Sequence, residues 1–407
     1  MNIRQVVSKR DWKAFHEVAD YIYRQDPHWV SPLHADIEKI FDPGHNKNFT
    51  QGGEACLWVL YSPSGTPIGR IAAFIDAQRN STKEYPVGSI GFFECIRDDE
   101  AADVLFDTAE QYLRDRGMQA IDGPVNFGER DRFWGLLTKG WYQPVYQENY
   151  NPPYYQVFFE GHGYEPHEQI FTYHGKTQGI DPTRLLALAQ KVRARYGITT
   201  RYIDPHNLDT FAGHFVTVYN DAFRDFPYFK PLQPAQVAQV FRQMKPIMDP
   251  RLVCFAFEGE KPVGFCALIP EINDFLRPAQ GRLNLRTLPG FLWRKHFMRP
   301  QKAKGIAFGI ANDWQRRGLF ACIVQHMYES DNKANPKKYS DILLATIRGH
   351  NMAMNNVVQT LNVKIQRVHI AYRKMLSSSH TPQPFPFIDT TEVSLGNPPD
   401  AGIYPRQ

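Results

Sequence analysis

Cysteine is scarce: the 407 residues contain five, Cys56, Cys95, Cys254, Cys266 and Cys322, and no two stand as a CxxC pair. An odd and scattered set excludes a fully paired disulfide framework and a thiolate metal or redox motif, leaving small hydrophobes suited to a core. No apolar run is long enough to cross a bilayer and the N-terminus Met1-Asn2-Ile3-Arg4-Gln5 has no apolar leader, so a cytoplasmic protein without a transmembrane segment is expected. The formal charge of +5 is modest for this length and calls for no DNA partner. The chain has no GxxxxGK[ST] phosphate loop, no HExxH and no GxSxG nucleophile turn. Gly161-His162-Gly163 has Pro166 where a dinucleotide loop needs its third glycine, and the fourteen histidines form no ligand-spaced cluster, so no metal is expected.

What the chain does contain is a repeat. Residues 57–74, LWVLYSPSGTPIGRIAAF, and 252–269, LVCFAFEGEKPVGFCALI, share an apolar run, a polar turn, a Pro-apolar-Gly step and a second apolar run. Turn residues between β-branched and aromatic segments predict a hairpin in each. After the first come a strand over Ser89–Ile96, a helix carrying Ala101, Leu105, Ala109 and Tyr112, and a strand over Gln119–Gly123. After the second come Ile306, Phe308 and Ile310 in alternation, a helix with Leu319, Ile323 and Met327 in an i, i+4 row, and a strand over Asp341–Ile347. Each half reads β-β-β-α-β, preceded by helices near 10–24 in the first half and near 206–223 and 233–247 in the second. The expected fold class is α/β, a mixed sheet with helices on both faces, in two tandem domains over 1–175 and 176–376. The proline-rich remainder, 377–407, reads as an extended strap or a loose tail.

The strand-to-helix turns differ between the halves. In the second, Asn312-Asp313-Trp314-Gln315-Arg316-Arg317-Gly318-Leu319-Phe320 puts a glycine and two arginines where the amides of a new helix have no intrahelical partner. Oriented amides, the positive end of the helix dipole and guanidinium groups together suit a diphosphate; a plain cap by Asn312 or Asp313 with solvated arginines is the alternative. In the first half, Arg97-Asp98-Asp99-Glu100 is good capping chemistry and repels an anion.

The order hairpin, strand, phosphate turn, helix, strand, helix resembles the GNAT acyltransferase superfamily, whose acetyl-CoA turn is [Q/R]-x-x-G-x-[G/A]. Gln315-Arg316-Arg317-Gly318-Leu319-Phe320 matches its first two anchors and departs at Phe320, where a small residue is expected. Gly91-Phe92-Phe93-Glu94, Asp122-Gly123-Pro124-Val125-Asn126-Phe127 and Tyr150-Asn151-Pro152-Pro153-Tyr154-Tyr155 give the chain the look of a bacterial family of tandem GNAT-like proteins of unassigned substrate. The resemblance implies acetyl-CoA or another acyl-CoA as cosubstrate, held by Ile310, Ala311, Gln315, Arg316, Arg317, Gly318, Leu319, Phe320 and Asn351 in the second half only. It implies direct transfer to an amine, with a tyrosine two turns after the late asparagine protonating the thiolate. That place falls near Val358. Tyr372 could approach from elsewhere, and Glu271 and Asp274 are candidate bases or merely solvated loop residues.

Two insertions distinguish the halves. Residues 126–150 carry Asn126, Glu129, Arg130, Trp134 and Tyr150, followed by Asn151, and read as an acceptor-binding wall or as a lid that joins the halves. Residues 282–304 are rich in Arg and Lys, hold no carboxylate, and interleave Phe291, Trp293 and Phe297. They read as an amphipathic surface helix with aromatics turned inward, or as a contact for cofactor phosphate, RNA or an acidic membrane surface. Three functions follow in order of preference: N-acyl transfer to a small amine, a non-catalytic ligand-binding or scaffold pair, and an aminoacyl-tRNA-dependent transferase.

Overall fold

The structure is a computed structural model that describes residues 1–406 except 81–82, 180–182, 226–228, 230, 299–300, 335–338 and 379. The first half supplies β1 (Asn2–Gln5), β2 (Glu54–Tyr61), β3 (Pro67–Ile75), β4 (Val87–Cys95), β5 (Ala120–Gly123), β6 (Leu136–Lys139) and β7 (Glu165–Lys176). The second supplies β8 (Ile198–Tyr202), β9 (Val253–Glu258), β10 (Lys261–Pro270), β11 (Lys302–Ile310), β12 (Asp341–Arg348) and β13 (Lys364–Met375). Both repeated hairpins form: β2 pairs antiparallel with β3 and β9 with β10. Their turns place Gly65 at φ 83° and Gly259 at φ 58°, left-handed backbone that glycine adopts without a Cβ clash.

All thirteen strands join one sheet in the order β1-β2-β3-β4-β5-β13-β7-β12-β11-β10-β9-β8, with β6 added onto β13. The two long closing strands are exchanged. The first half's β7 pairs with β12 from Asp341↔Lys176 to Arg348↔Ile170, while the second half's β13 pairs with β5 through Tyr372↔Gly123 and Arg373↔Asp122. Buried charge ties this join: Asp122 accepts from Arg373 Nε at 2.6 Å and Nη2 at 2.9 Å, and from Arg79 Nη2 at 2.6 Å.

Helices form where caps and an apolar stripe coincide. Ser8 opens Lys9–Ile22 with a capping box, its Oγ accepting from Asp11 N while Asp11 Oδ2 accepts from Ser8 N at 2.9 Å. Asp98 caps Asp99–Arg114 by accepting from Ala101 N at 2.7 Å, and that helix buries Ala101, Leu105, Phe106 and Ala109 on the first half of the sheet. The helix Leu319–Ala334 lays Leu319, Cys322 and Ile323 on the second half.

A buried histidine pair sets the acid response of this fold. His16 and His34 stack with ring centroids 3.8 Å apart. Burial, then His34 and the cations Arg70 and Arg282, push His16 down to about 2; burial, then Arg282 and Arg70, push His34 down to about 4. Both rings are neutral when folded, whereas the unfolded chain binds protons from about pH 6.5 downward. Stability is therefore complete above that pH and falls as pH drops toward 4, by up to about 1.4 kcal/mol per unit per ring. His34→Asn should flatten the fall of Tm between pH 6.5 and 4.5; an unchanged slope would contradict the assignment.

Candidate active site

The geometry that matters lies between β11 and β12. These parallel strands pair from Lys302↔Asp341 to Gly305↔Leu344, yet β11 runs on to Ile310 and β12 to Arg348 without further pairing among the described residues. Bulges on both outer flanks bend them apart: β10–β11 shifts register between Ala267 and Leu268, and β12–β7 between Leu344 and Ile347. Thr346, β-branched, is held at φ 60°, a conformation such residues rarely adopt. The result is a slot whose walls present unpaired peptide groups, with Ile306 exposed and Phe308 half-buried on the β11 side. Such edges can accept a short amide-bearing chain as an added strand.

The glycine–arginine turn stands at the open end. After the 3₁₀ turn Asn312–Trp314, Arg316 takes φ 63° and Gly318 φ 79°, and the helix starts at Leu319. Asp221 fixes the turn, accepting from Asn312 N at 2.7 Å and through its backbone carbonyl from Asn312 Nδ2 at 2.8 Å. Trp314 is buried against Tyr196, while Gln315, Arg316 and Arg317 are exposed. Phe320, the departure from the expected small residue, sits edge-on to Phe308 with centroids 4.9 Å apart, on the β11 wall. A Cβ on Gly318 would lie 3.1 Å from the Leu188 side chain in addition to its unfavourable φ. Gly318→Val should therefore distort the turn and cost about 1–2 kcal/mol. Thermal melting and acyl-CoA titration of that variant measure both effects, and wild-type values in both would contradict this reading of the turn.

The equivalent place in the first half is filled. A Cβ on Gly91 would meet the Val125 carbonyl oxygen at 2.0 Å, so residues 124–126 occupy the gap beyond the β4–β5 pairing. The acidic turn is spanned by the C-terminal strap: Arg97 N donates to Pro405 O at 2.9 Å, and Tyr404 buries its ring and donates to Asp26 at 2.6 Å. Behind it, Glu94 is fully enclosed, accepting from Tyr23 at 2.7 Å, Tyr155 at 2.9 Å and Arg70 at 3.3 Å. Burial raises its pKa against the opposing pull of Arg70. Glu94, Arg70 and Tyr150 border a cavity of about 60 Å³, roomy enough to hold ordered water.

The loop 126–134 reaches across to the slot. Thr346 Oγ1 donates to Asp131 O at 3.0 Å, and Glu129 and Asp131 lie near enough to raise the pKa of Tyr219, after its burial, on the helix Leu208–Phe223. Beside it Glu168 bridges Arg130 at 3.0 Å and Arg348 more closely, with His350 at 3.6 Å. Burial would raise Glu168, but Arg348 and Arg130 hold it below the usual carboxylate range. The Trp134 ring lies 4.8 Å from Arg130, 5.4 Å from Arg79 and 6.0 Å from Arg348. Asn126 Oδ1, Trp134 Nε1 and His350 Nδ1 are buried without a hydrogen-bond partner. Unsatisfied buried polar atoms grouped beside a slot mark a place for solvent or ligand oxygen and nitrogen atoms.

The remaining sequence candidates separate. Asn151 is committed to the first-half core, accepting from Leu137 N at 2.7 Å and donating to Leu137 O at 3.1 Å; Tyr150 donates to Asp26 at 2.8 Å. Glu271 is buried at the paired end of β11, accepting from Tyr146 N at 3.1 Å and Asn273 N at 2.8 Å beside Lys304, and burial raises its pKa. Asp274 accepts from Gln143 at 2.6 Å and pairs with Lys302 at 3.7 Å. These two join the loop 143–148 to the second half. Tyr372 lies two strands from β12 and donates to Glu160 at 3.2 Å. Val358 is core, and Asn351 caps Met352–Gln359 by accepting from Met354 N at 3.1 Å. Asn355, unnoticed in the sequence, holds the end of β12 through the Arg348 and Gly349 carbonyls at 3.1 and 2.8 Å. The cluster Glu168, Arg348 and His350 was equally unmarked; its signal was polar residues ending apolar strands.

No family model matches the chain. It is 25% identical over 383 residues to a bacterial ceramide synthase of Caulobacter vibrioides, covering 92% of this chain and 98% of that protein. It is 23% identical over 379 residues to the protein YghO of Escherichia coli, covering 92% and 95%. Among solved structures it superposes on a tandem GNAT protein from the clavulanic acid biosynthesis pathway with a TM-score of 0.54 at 11% identity, covering 93% and 99%. A GCN5-related N-acetyltransferase from Sphaerobacter thermophilus gives 0.50 at 12% identity, covering 92% and 95%. The chain has the tandem GNAT fold.

Proposed function

We propose that the protein is an acyl-CoA-dependent N-acyltransferase whose reaction takes place in the slot between β11 and β12. The observation that carries this is the divergence of the two strands after Gly305↔Leu344, with the turn Gln315–Gly318 at the open end. In this reading Arg316, Arg317 and the first amides of the helix hold the pyrophosphate, and the unpaired edges of β11 and β12 align the pantetheine. The acceptor approaches along the loop 126–134, where Asn126, Trp134, Arg130 and Arg348 meet its oxygen-bearing head.

The amine nitrogen attacks the thioester carbonyl carbon, the C–S bond breaks, and CoA leaves as the thiolate. The proton released by the amine passes to solvent at the slot mouth and from solvent to the thiolate. The relative named as a ceramide synthase supports a lipidic amine as the acceptor class. Release of free thiol from acetyl-CoA and long-chain acyl-CoA, measured with short and long-chain amines, tests this. Amine-dependent release is expected; acyl-CoA that neither binds nor releases thiol would overturn the proposal. Phe320 on the β11 wall and Val358 in the core favour a second reading, a slot that binds acyl-CoA without turnover. Binding with no release across the amine panel would select it.

A further inference from the structure

The stretch between β10 and β11 gathers apolar surface that the sheet leaves uncovered. Leu285, Leu288, Leu292, Trp293, Phe297 and Met298 are all exposed, Leu285 at 91% and Phe297 at 64%. The expectation of inward aromatics holds only for Phe291, which packs on Ile272, Phe275 and Leu276. Around the helix Leu288–Phe297, the residues Leu292, Trp293 and Phe297 stand roughly 100–160° from Phe291, on the solvent side. Trp293 and Phe297 touch each other, with centroids 5.3 Å apart.

The charge on this stretch has one sign. Residues 282–304 include no Asp or Glu. Lys302 and Lys304 serve the fold, the first against Asp274 at 3.7 Å and the second buried beside Glu271. Arg282 and Arg286 are exposed, Arg294 is half-buried, and none of the three enters an ion pair among the described residues. Arg299 lies outside the described residues. An apolar helix face with an aromatic pair and flanking cations suits the boundary between headgroups and acyl chains. Trp293 and Phe297 are the rings on which a base could stack, whereas the aliphatic Leu285, Leu288, Leu292 and Met298 that make up most of the exposed apolar surface suit acyl chains and not bases.

We propose that residues 282–298 are an interfacial anchor that lays the Leu292, Trp293 and Phe297 face into an anionic phospholipid surface, with Arg282, Arg286 and Arg294 meeting the phosphates. This stands apart from the acyl-transfer reading, because no residue of the slot or turn takes part. Flotation of the full chain with phosphatidylcholine–phosphatidylglycerol vesicles, against phosphatidylcholine alone, is the test. Strong flotation on the anionic vesicles, weakened by salt, is expected. Both W293E/F297E and R286E/R294E should lower the partition coefficient at least about tenfold while leaving the melting temperature unchanged. Absence of flotation on anionic vesicles, or flotation equal to wild type in both variants, would overturn the proposal. So would the loss of a concentration-dependent dimer in W293E/F297E without vesicle binding by the wild type, or binding of single-stranded RNA in place of vesicles.

Discussion

Arg316→Glu combined with Arg317→Glu should weaken acyl-CoA binding at least about a hundredfold, the loss expected when two charge-assisted contacts to a pyrophosphate become repulsive. Both side chains are exposed, and the only ring contact among the described residues is Arg317 over Trp314 at 5.5 Å. The fold should therefore survive, with a melting temperature within a few degrees of wild type. Arg316 occupies φ 63°, so Arg316→Gly removes a charge while easing the backbone. It should weaken binding by less than the double reversal and leave stability equal or slightly higher. Titration calorimetry with acetyl-CoA reads both; unchanged affinity in the double variant would mean that the turn is merely a capped helix start.

Asp122→Asn should destabilise the protein by about 3–5 kcal/mol, because it leaves two guanidinium groups beside a neutral buried amide. Asp122 and Arg373 are 3% and 6% exposed, and they join β5 of the first half to β13 of the second. Burial would raise the pKa of Asp122, but Arg79 and Arg373 hold it well below the usual carboxylate range. A depressed carboxylate contributes stability that is complete above its unfolded pKa and is lost as pH falls through the folded one. This ion pair is therefore expected to be lost only in strong acid, after the histidine pair has already weakened the fold. Since each half lends the other its closing strand, denaturant should unfold wild type in one transition; two resolved transitions would contradict that coupling. Asp122→Leu with Arg373→Met should recover part of the loss and not all of it, since the Asp122–Arg373 pair is replaced as a unit while Arg79 still loses its contact with Asp122.

Local pattern and tertiary pairing were unequally legible. The hairpins at 57–74 and 252–269 could be read because a turn glycine between β-branched runs acts over a few residues. The helix start at Asn351 and the contrast between an acidic and a basic turn are local in the same sense. The exchange of β7 and β13 was not legible, because pairs such as Arg373↔Asp122 join residues far apart in sequence and leave no periodic trace. The direction of the helix Leu288–Phe297 was hidden for another reason. Phe291, Trp293 and Phe297 fix a helical stripe, but which side meets the core depends on Ile272, Phe275 and Leu276. Glu271 resembled an exposed base because it follows a hairpin, and its burial depends on Tyr146 and Lys304 arriving from elsewhere. The slot itself follows from bulges at Ile306, opposite Ala267 and Leu268, and at Thr346, backbone events that no single residue type announces.

The central claim is that a CoA thioester lies between β11 and β12 with its diphosphate on Arg316, Arg317 and the helix start. A crystal structure of the protein with a non-hydrolysable acyl-CoA analogue tests it most directly. The account predicts pantetheine amides hydrogen-bonded to the strand edges beyond Gly305 and Leu344, with the acyl carbon facing the loop 126–134. Density for the analogue in the first-half cavity beside Glu94, or a slot closed by Phe308 and Phe320 with no analogue bound, would contradict it.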